Sequence, residues 1–249
     1  MADDFFSEIK RETVSTSAGP CELPILYRDG SVVGLMYRVA PELVAPLIPH
    51  PDHFEPFTLL GKAIVQLVVF EYRDTSIGPY GELALAVEVK RRGTSPSTFG
   101  ALVNAKNQPD YGSCFLNLPV TTEGACAAGK EIWGYPKYVV GIETSFTKER
   151  IHVVQSGELE LEVGPAGWLE TRGIPFVLMS VLGDKVIRTI VETSHPLSWG
   201  GAGSVQLKVT GSGPTADNLT KLGLPGAKPA FVWRASKLQS ILPRGEALP

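Results

Sequence analysis

The sequence has few cysteines, no long apolar stretch and no N-terminal targeting pattern, and each absence excludes a class of protein. Its three cysteines, Cys21, Cys114 and Cys126, form no Cys-x-x-Cys pair, so we expect reduced, buried thiols as in a cytoplasmic protein. No apolar run is long enough to span a bilayer. The N-terminus lacks the basic and then apolar layout of a signal peptide. The sequence therefore predicts a cytoplasmic protein without a membrane segment.

An excess of positive charge is also missing. The chain carries 23 lysines and arginines against 26 aspartates and glutamates, with a net charge of −3. Nucleic-acid binding needs clustered Lys and Arg, and the densest basic run is only Lys90-Arg91-Arg92. The histidines form no His-x-x-x-His pair, and His50 and His53 have no cysteine nearby. We therefore predict no nucleic-acid partner, no metal site and no cofactor.

What is present is the composition of a globular protein. The chain has 249 residues, of which 43% are hydrophobic and 20% charged, which is enough for a sizeable core. Its 26 glycines and 20 prolines are scattered along the chain and not gathered in a linker. We expect a single domain over residues 1–249.

Short apolar patterns predict many strands. Residues 85–90, 158–163 and 205–210 alternate apolar with mostly polar side chains, which is typical of half-buried strands. Residues 64–72 and 174–182 are nearly continuous apolar runs. Such runs suit strands buried on both faces, although a buried helix has the same pattern.

The sequence predicts few helices. We predict short ones at residues 4–11 with Asp4 as the N-cap, at 41–47 with Pro41 near the start, and at 122–130. Many strands, few helices and no alternation of strand with helix predict a mainly β (α+β) protein built on an antiparallel sheet or barrel.

The segment that ends at Lys137 is the most informative one for function. Pro136 fixes its own φ and biases Tyr135 towards extended geometry. Apolar and aromatic residues flank the lysine on both sides, namely Ile132, Trp133, Tyr135, Tyr138, Val139 and Val140. Desolvation disfavours an ammonium, and a neutral amine attacks carbonyl carbons. The composition by itself equally fits a lysine at the mouth of a buried strand.

A resemblance to a known family favours the reactive lysine. Gly129-Lys130-Glu131 followed by Tyr135-Pro136-Lys137 resembles the Schiff-base lysine motif of the acetoacetate decarboxylase superfamily. Supporting matches follow the family's order over nearly the whole chain, at residues 35–38, 47–51, 72–76, 80–82 and 242–246. The resemblance implies a closed, cone-like antiparallel β-barrel with a few peripheral helices, assembled as a homo-oligomer.

The resemblance also implies roles for individual residues. Lys137 is the expected nucleophile. Glu82 matches the acid of a Tyr-x-Glu pattern and would move protons or bind the intermediate, although it also reads as a turn glutamate. Glu131 matches a glutamate six residues before the lysine and would orient loop or subunit contacts. Where the family's prototype has a second lysine, this chain has Tyr138, so the apolar pocket must activate Lys137.

Substrate contacts are expected from further residues. Arg28 matches an arginine shortly before the family's early strand, so the resemblance implies that it anchors the substrate carboxylate, which a guanidinium binds bidentately; Arg38 is the alternative. We expect Trp133, Tyr135 and Tyr138 to contact the substrate because they flank the lysine.

Val68 stands where the family has a second acid, and Gln66 is the nearest polar residue. This departure leaves the reaction open. The first hypothesis is a lyase that decarboxylates an acetoacetate-like 3-oxo acid through an iminium on Lys137. The alternatives are an aldolase-dehydratase or hydratase acting on pyruvate-like 2-oxo acids, and a non-catalytic barrel that binds small ligands.

Overall fold

Strands dominate the computed structural model, which describes residues 5–165, 169–194, 196–201 and 203–249. In this part of the chain the strands are β1 (Glu12–Thr16), β2 (Gly19–Leu23), β3 (Ile25–Val39), β4 (Phe54–Pro56), β5 (Thr58–Leu59), β6 (Lys62–Thr75), β7 (Tyr80–Arg91), β8 (Tyr111–Val120), β9 (Lys137–Val139), β10 (Ile142–Phe146), β11 (Ile151–Gln155), β12 (Leu159–Val163), β13 (Leu169–Arg172), β14 (Phe176–Leu182), β15 (Lys185–Ser194), β16 (Pro196–Gly200), β17 (Val205–Val209), β18 (Phe231–Ala235), β19 (Gln239–Leu242) and β20 (Glu246–Ala247).

Helices are short and lie at the periphery. They are α1 (Pro41–Val44), α2 (Thr98–Val103), α3 (Glu123–Trp133) and α4 (Pro214–Lys221), with 3₁₀ turns at Ala45–Leu47 and Ala105–Asn107. The helices expected at residues 41–47 and 122–130 are confirmed, and α2 and α4 were not expected. None of the helices in the described ranges has the length and hydropathy needed to cross a membrane.

The helix expected at residues 4–11 is wrong. Residues 5–8 form a turn and residues 9–11 have no regular structure before β1 begins. Asp4, the expected cap, lies outside the described residues. A helix of two turns is marginal without packing against an apolar face, and this segment is mostly exposed or half-buried.

Seven strands close into a barrel. Around the ring the order is β3, β19, β15, β14, β8, β7 and β6, and β6 pairs with β3 to complete it. Six of the seven pairings are antiparallel, and the pairing of β8 with β14 is parallel. The closed barrel is thus confirmed, but it is mixed and not purely antiparallel. A parallel pair needs a long crossover, and here α3 and most of a second sheet lie between β8 and β14 in the chain.

The second sheet covers part of the barrel's outer wall. It is antiparallel, with the order β10, β11, β12, β17. Its apolar residues, such as Val153 and Leu161, share one core with outward-facing residues of β3, β6 and β7, such as Leu35, Leu67 and Leu85. The expected strands at 158–163 and 205–210 are confirmed as β12 and β17.

Because of this second layer, β6 and β7 are buried on both faces. The continuous apolar run at 64–72 is confirmed as a strand buried on both sides, and the run at 174–182 contains β14. The half-buried strand expected at 85–90 is corrected: Ala86 and Glu88 are buried, as are their neighbours Leu85, Val87 and Val89. The alternation is real, but the second face looks into the barrel and not into solvent. The three cysteines are buried and unpaired.

Candidate active site

The barrel encloses a cavity of about 90 Å³. Aromatic and aliphatic side chains form most of its wall, with a few polar groups among them, which is the usual make-up of a small-molecule site. The lining residues are Tyr27, Gln66, Val68, Phe70, Tyr72, Glu82, Ala84, Ala86, Ser113, Phe115, Leu118, Tyr135, Lys137, Phe176, Leu178, Val191, Trp233, Ser240 and Leu242.

Lys137 reaches this cavity from the turn that follows α3. The side chain of Thr122 caps the start of the helix, and Gly134 ends it in the left-handed region with φ of 69°. The Gly134 N–H donates to the Lys130 carbonyl at 3.1 Å, which is the αL C-cap motif, and the Tyr135 N–H donates to the Gly129 carbonyl at 3.0 Å. A Cβ at position 134 would collide with the Val181 carbonyl. Glycine is therefore required there, both for the turn and for the close approach.

The turn delivers Lys137 to a strand inside the barrel wall. Residues 137–139 form β9, which runs parallel to β8 and places Lys137 opposite Leu118. The Leu118 N–H donates to the Pro136 carbonyl at 3.3 Å. Lys137 is only 9% exposed. The expected orientation of the lysine into an interior cavity is what the structure shows.

The β6–β7 hairpin positions Glu82. The turn is held by Thr75, whose hydroxyl donates to the Gly78 carbonyl at 2.6 Å and accepts from the Ile77 N–H at 3.0 Å. Ser76 ties the turn to β3 by accepting from the Leu26 N–H at 3.0 Å. Glu82 is therefore not a turn glutamate. It lies inside β7 and is 8% exposed.

Lys137 and Glu82 meet in the cavity. Lys137 Nζ donates to Glu82 Oε2 at 2.5 Å. Charged groups are rarely this deeply buried unless they are paired, and here each is the other's partner. The nitrogen also lies 5.6 Å from the ring centroid of Tyr80, within the range of a cation–π contact.

Tyrosines surround the pair. The Tyr27 and Tyr80 hydroxyls are 2.9 Å apart, and the rings of Tyr27 and Tyr72 are 4.5 Å apart. Burial, and secondly the charge of Glu82, raises the pKa of Tyr27, Tyr72 and Tyr80 far above that of a free tyrosine. These hydroxyls therefore stay protonated and uncharged beside the lysine.

Of the three aromatic residues expected at the substrate, only Tyr135 lines the main cavity. Trp133 stands behind it: the two rings stack 5.9 Å apart and nearly parallel, and the indole N–H donates to the Pro243 carbonyl at 3.0 Å. Trp133 borders only a narrow recess beside the lysine. We therefore correct its role to that of a support for Tyr135.

The expectation for Tyr138 is also corrected. Successive residues of a strand point to opposite faces, so Tyr138 points away from the cavity that holds Lys137. Its hydroxyl lies 2.6 Å from Thr215 Oγ1 and donates to Glu158 Oε1 at 3.1 Å. The Gln155 amide donates to the same hydroxyl at 3.2 Å. Tyr138 thus ties β9 to the second sheet and to α4.

Arg28 is not brought to the cavity either. Its side chain is 41% exposed and pairs with Asp74 at 3.3 Å, on the face of β3 opposite to that of Tyr27. Arg38, the alternative anchor, is exposed. Lys137 is the only cationic side chain among the lining residues. Neither arginine holds a position from which it could anchor a substrate carboxylate beside Lys137.

Glu131 lies on the surface of α3. It accepts hydrogen bonds from the N–H and hydroxyl of Ser17, in the turn between β1 and β2. These bonds, the one from the hydroxyl first, lower the pKa of Glu131. A role in orienting a loop agrees with this position, and the loop is the β1–β2 hairpin.

The cavity has a second polar group, of which sequence reasoning named only Gln66, as the polar residue nearest Val68, and missed Ser113 and Glu88. Gln66 and Ser113 line the cavity, and both donate to the buried carboxylate of Glu88. The signal was present, because Gln66 shares the period-two face of Val68 in an otherwise apolar run. The tyrosines Tyr27 and Tyr72 were missed as lining residues as well.

Possible metal ligands lie elsewhere. Within the described ranges, one group of three has ligand atoms within 4.8 Å of one another, namely His152, Glu160 and Glu162. All three are half-buried on the second sheet, on the face opposite to Val153 and Leu161. His152 bonds Glu160 at 3.0 Å, and Arg150 pairs with Glu162. The group is a cross-strand surface network remote from Lys137.

Comparisons with known proteins agree with this fold. The crystal structure of acetoacetate decarboxylase from Legionella pneumophila is 16% identical, with a TM-score of 0.66 over 100% of this chain and 94% of that one. MppR, an enduracididine biosynthesis enzyme complexed with the condensation product of pyruvate and imidazole 4-carboxaldehyde, is 16% identical, with a TM-score of 0.62 over 90% and 88% of the two chains. An acetoacetate decarboxylase-like enzyme from Sphingomonas wittichii is 11% identical, with a TM-score of 0.59 over 90% and 93%.

At these identities the likeness shows the fold alone. No curated protein sequence matches the chain. The family model for acetoacetate decarboxylase (ADC), however, matches residues 12–160, and this span contains both Lys137 and Glu82. The chain therefore belongs to the acetoacetate decarboxylase family.

Proposed function

We propose that this protein is a Schiff-base-forming lyase that decarboxylates a small 3-oxo acid of the acetoacetate type through an iminium on Lys137. The observation that carries the proposal is the 2.5 Å contact between Lys137 Nζ and Glu82 Oε2 inside an apolar cavity. A lysine nucleophile needs a neutral amine and a group that takes and returns its proton. Glu82 stands at hydrogen-bond distance for both steps.

Imine formation follows from this pair. The ammonium of Lys137 passes one proton to the Glu82 carboxylate, and the neutral amine attacks the ketone carbon of the substrate. A proton moves from nitrogen to oxygen to give the carbinolamine. Glu82 then returns its proton to the hydroxyl, which leaves as water. The iminium remains beside the Glu82 carboxylate as its counter-charge.

Decarboxylation uses the iminium as an electron sink. The bond between the α-carbon and the carboxylate carbon breaks, its electron pair moves towards the iminium nitrogen, and CO₂ and a neutral enamine result. A proton from solvent, relayed by Glu82, adds to the enamine carbon. One water then hydrolyses the iminium and releases the ketone and the lysine ammonium.

The charge of the cavity favours this reaction over one that keeps the carboxylate. Lys137 is the only cationic residue among the described lining residues, so a bound carboxylate has no cationic partner there other than the iminium. Burying an unpaired carboxylate is costly, and neutral CO₂ avoids that cost. Losing CO₂ therefore removes a charge that the apolar wall solvates poorly.

A second candidate is condensation of a pyruvate-like 2-oxo acid with an aldehyde. Two observations favour it. Val68 lines the cavity where the resemblance predicts a second acid, and MppR, which has the same fold, was crystallised with a pyruvate condensation product. The same lysine would form the iminium, and proton loss in place of CO₂ loss would give the enamine.

Borohydride reduction tests the proposal. Treating the protein with acetoacetate and then borohydride should fix the mass of a reduced adduct on Lys137, and the Lys137→Arg variant should gain none. Release of CO₂ from acetoacetate by the parent alone supports decarboxylation. Absence of CO₂ together with a conjugated product from pyruvate and an aldehyde favours the second candidate. Ligand binding without any trapped adduct would leave a non-catalytic barrel.

We also propose that residues 1–249 act as one domain in a homo-oligomer. Two apolar side chains of α2, Phe99 and Val103, are 74% and 62% exposed, as expected of a surface that a second subunit covers. Sedimentation velocity should show a species larger than 26.8 kDa, and a monomer alone would contradict this.

A further inference from the structure

The cavity has polar side chains at two ends along β6 and β7. One end holds Lys137 and Glu82. Gln66 marks the other end, because the β6–β7 register pairs Glu82 with Phe70 and Gln66 with Ala86. Phe70, opposite Glu82, and Gln66 are four residues apart on β6, which corresponds to roughly 13 Å along the strand. Between them the lining is apolar, from Val68 and Ala84 to Phe115 and Leu178.

The remote end is backed by a buried carboxylate. Glu88 is 5% exposed and lies on the inward face of β7, beyond Ala86. Its Oε1 accepts from Gln66 Nε2 at 2.6 Å and from Ser113 Oγ at 2.7 Å. The Tyr111 side chain also bonds Glu88. All three partners are neutral, and no described lysine, arginine or histidine forms an ion pair with Glu88. Lys90, two residues further along the strand, pairs with Glu55 at 2.9 Å.

These bonds decide what the cavity can recognise. A carboxylate can only accept, so it consumes the Ser113 hydroxyl proton and turns the amide nitrogen of Gln66 towards itself. What remains for a ligand is the carbonyl oxygen of Gln66, the second N–H of its amide and the lone pairs of Ser113. Acceptors predominate among these groups, and the negative charge of Glu88 directly behind them favours a donor on the ligand.

We propose that Gln66, Ser113 and Glu88 form a specificity site for a hydrogen-bond donor on the substrate, at the end remote from the carbonyl that meets Lys137. The substrate class is then an oxo acid whose chain ends in a hydroxyl or ammonium group and not in a methyl group. This assignment rests on the proposed function for the position of the carbonyl. The geometry of the donor site itself stands on Gln66, Ser113 and Glu88.

Binding of simple ketones tests the inference without turnover. The probes are methyl ketones in matched pairs whose chain ends in either a methyl or a hydroxyl group, beginning with butanone and hydroxyacetone and lengthened one methylene at a time. Calorimetry gives the dissociation constant of each. At the chain length that reaches Gln66, we expect the hydroxyl ketone to bind at least about tenfold more tightly than the methyl ketone. The reason is that its hydroxyl donates to the Gln66 carbonyl oxygen, beside the negative charge of Glu88.

Variants locate the preference. Gln66→Met removes the acceptor at similar size, and we expect the ratio between hydroxyl and methyl ketones to fall to about one. Gln206→Met makes the same change on an exposed residue of β17 and should leave the parent's ratio in place. Ser113→Ala gives a second, smaller loss that does not depend on how Gln66→Met folds.

The inference is overturned if the parent protein binds the methyl ketone as tightly as the hydroxyl ketone at every chain length. It is also overturned if Gln66→Met and Ser113→Ala both keep the parent's ratio of the two dissociation constants. Borohydride trapping of the same ketones judges the proposed function separately. A hydroxyl preference without any trapped adduct would refute the Schiff base and retain the donor site. A trapped adduct without the hydroxyl preference would support the Schiff base and refute the donor site.

Discussion

Gly129 lies against the aliphatic stem of Lys137. A Cβ added to Gly129 would stand 2.5 Å from Cε of the lysine and closer still to Cδ. The residue belongs to the face of α3 that covers the barrel, where small residues such as Ala125 and Ala128 are buried. The helix can approach β9 this closely only because position 129 has no side chain, and this approach confines the lysine to one path into the cavity.

Gly129→Ala should therefore displace Lys137. Alanine normally favours a helix over glycine by about 1 kcal/mol, so the helix itself gains, while the methyl group pushes the lysine stem away from Glu82. We expect borohydride trapping on Lys137 to slow by at least about tenfold, since a misplacement of about 1 Å can cost far more than that. The matched control is Gly124→Ala in the same helix, where a Cβ meets nothing within 4 Å. Equal trapping rates in the two variants would refute the packing argument.

Glu82→Gln should impair turnover more than binding. The amide keeps the shape of the side chain but cannot take or return the proton of Lys137, a function worth about 10²–10⁴ in rate. We expect the loss to appear in kcat for acetoacetate, with KM changed only a few-fold. Glu143→Gln, at an exposed position of β10, is the control. Equal losses in kcat and in ligand affinity would instead indicate that Glu82 only holds the structure together.

Tyr138→Phe should lower stability and leave the chemistry alone. It removes a hydroxyl that bonds Glu158, Thr215 and Gln155, and each hydrogen bond lost costs about 0.5–1.5 kcal/mol. Tyr37→Phe is the matched control, because the buried Tyr37 hydroxyl has no hydrogen-bond partner among the described residues. Urea unfolding should show the larger loss for Tyr138→Phe. If that variant instead lost trapping on Lys137, Tyr138 would belong to the site after all.

Tyr72 offers a test by pH. Burial, followed by the charge of Glu82, raises its pKa well above the usual value, so the folded protein keeps a proton that the unfolded chain releases above pH ~10. The stability is complete below that pH and falls as pH rises, by up to ~1.36 kcal/mol per pH unit for each such tyrosine. Tyr72→Phe should make the decline in unfolding free energy above pH ~10 shallower by that amount. Curves that stay parallel to those of the parent would contradict the prediction.

The sequence determined the candidates for the chemistry and much of the strand pattern. Lys137 and Glu82 were recognisable from the motifs around them, and a helix was expected at residues 122–130, where α3 lies. These signals are local, because caps, glycines and period-two alternation act within a few residues. The contact between Lys137 and Glu82 is not local, since it requires the β6–β7 hairpin and the α3–β9 turn to meet inside one barrel.

Only the tertiary structure decided which strand faces are exposed to solvent and which residues share the cavity. Alternation showed that Glu88 and Ala86 share a face, but only barrel closure and the second sheet made both faces of β7 interior. Tyr138 adjoins Lys137 in sequence and points the opposite way, because a strand sends neighbours to opposite sides. Arg28 has the chemistry of a carboxylate anchor but stands on the outer side of β3. Residue type and spacing thus determined what each group can do, and long-range strand pairing decided what each group can reach.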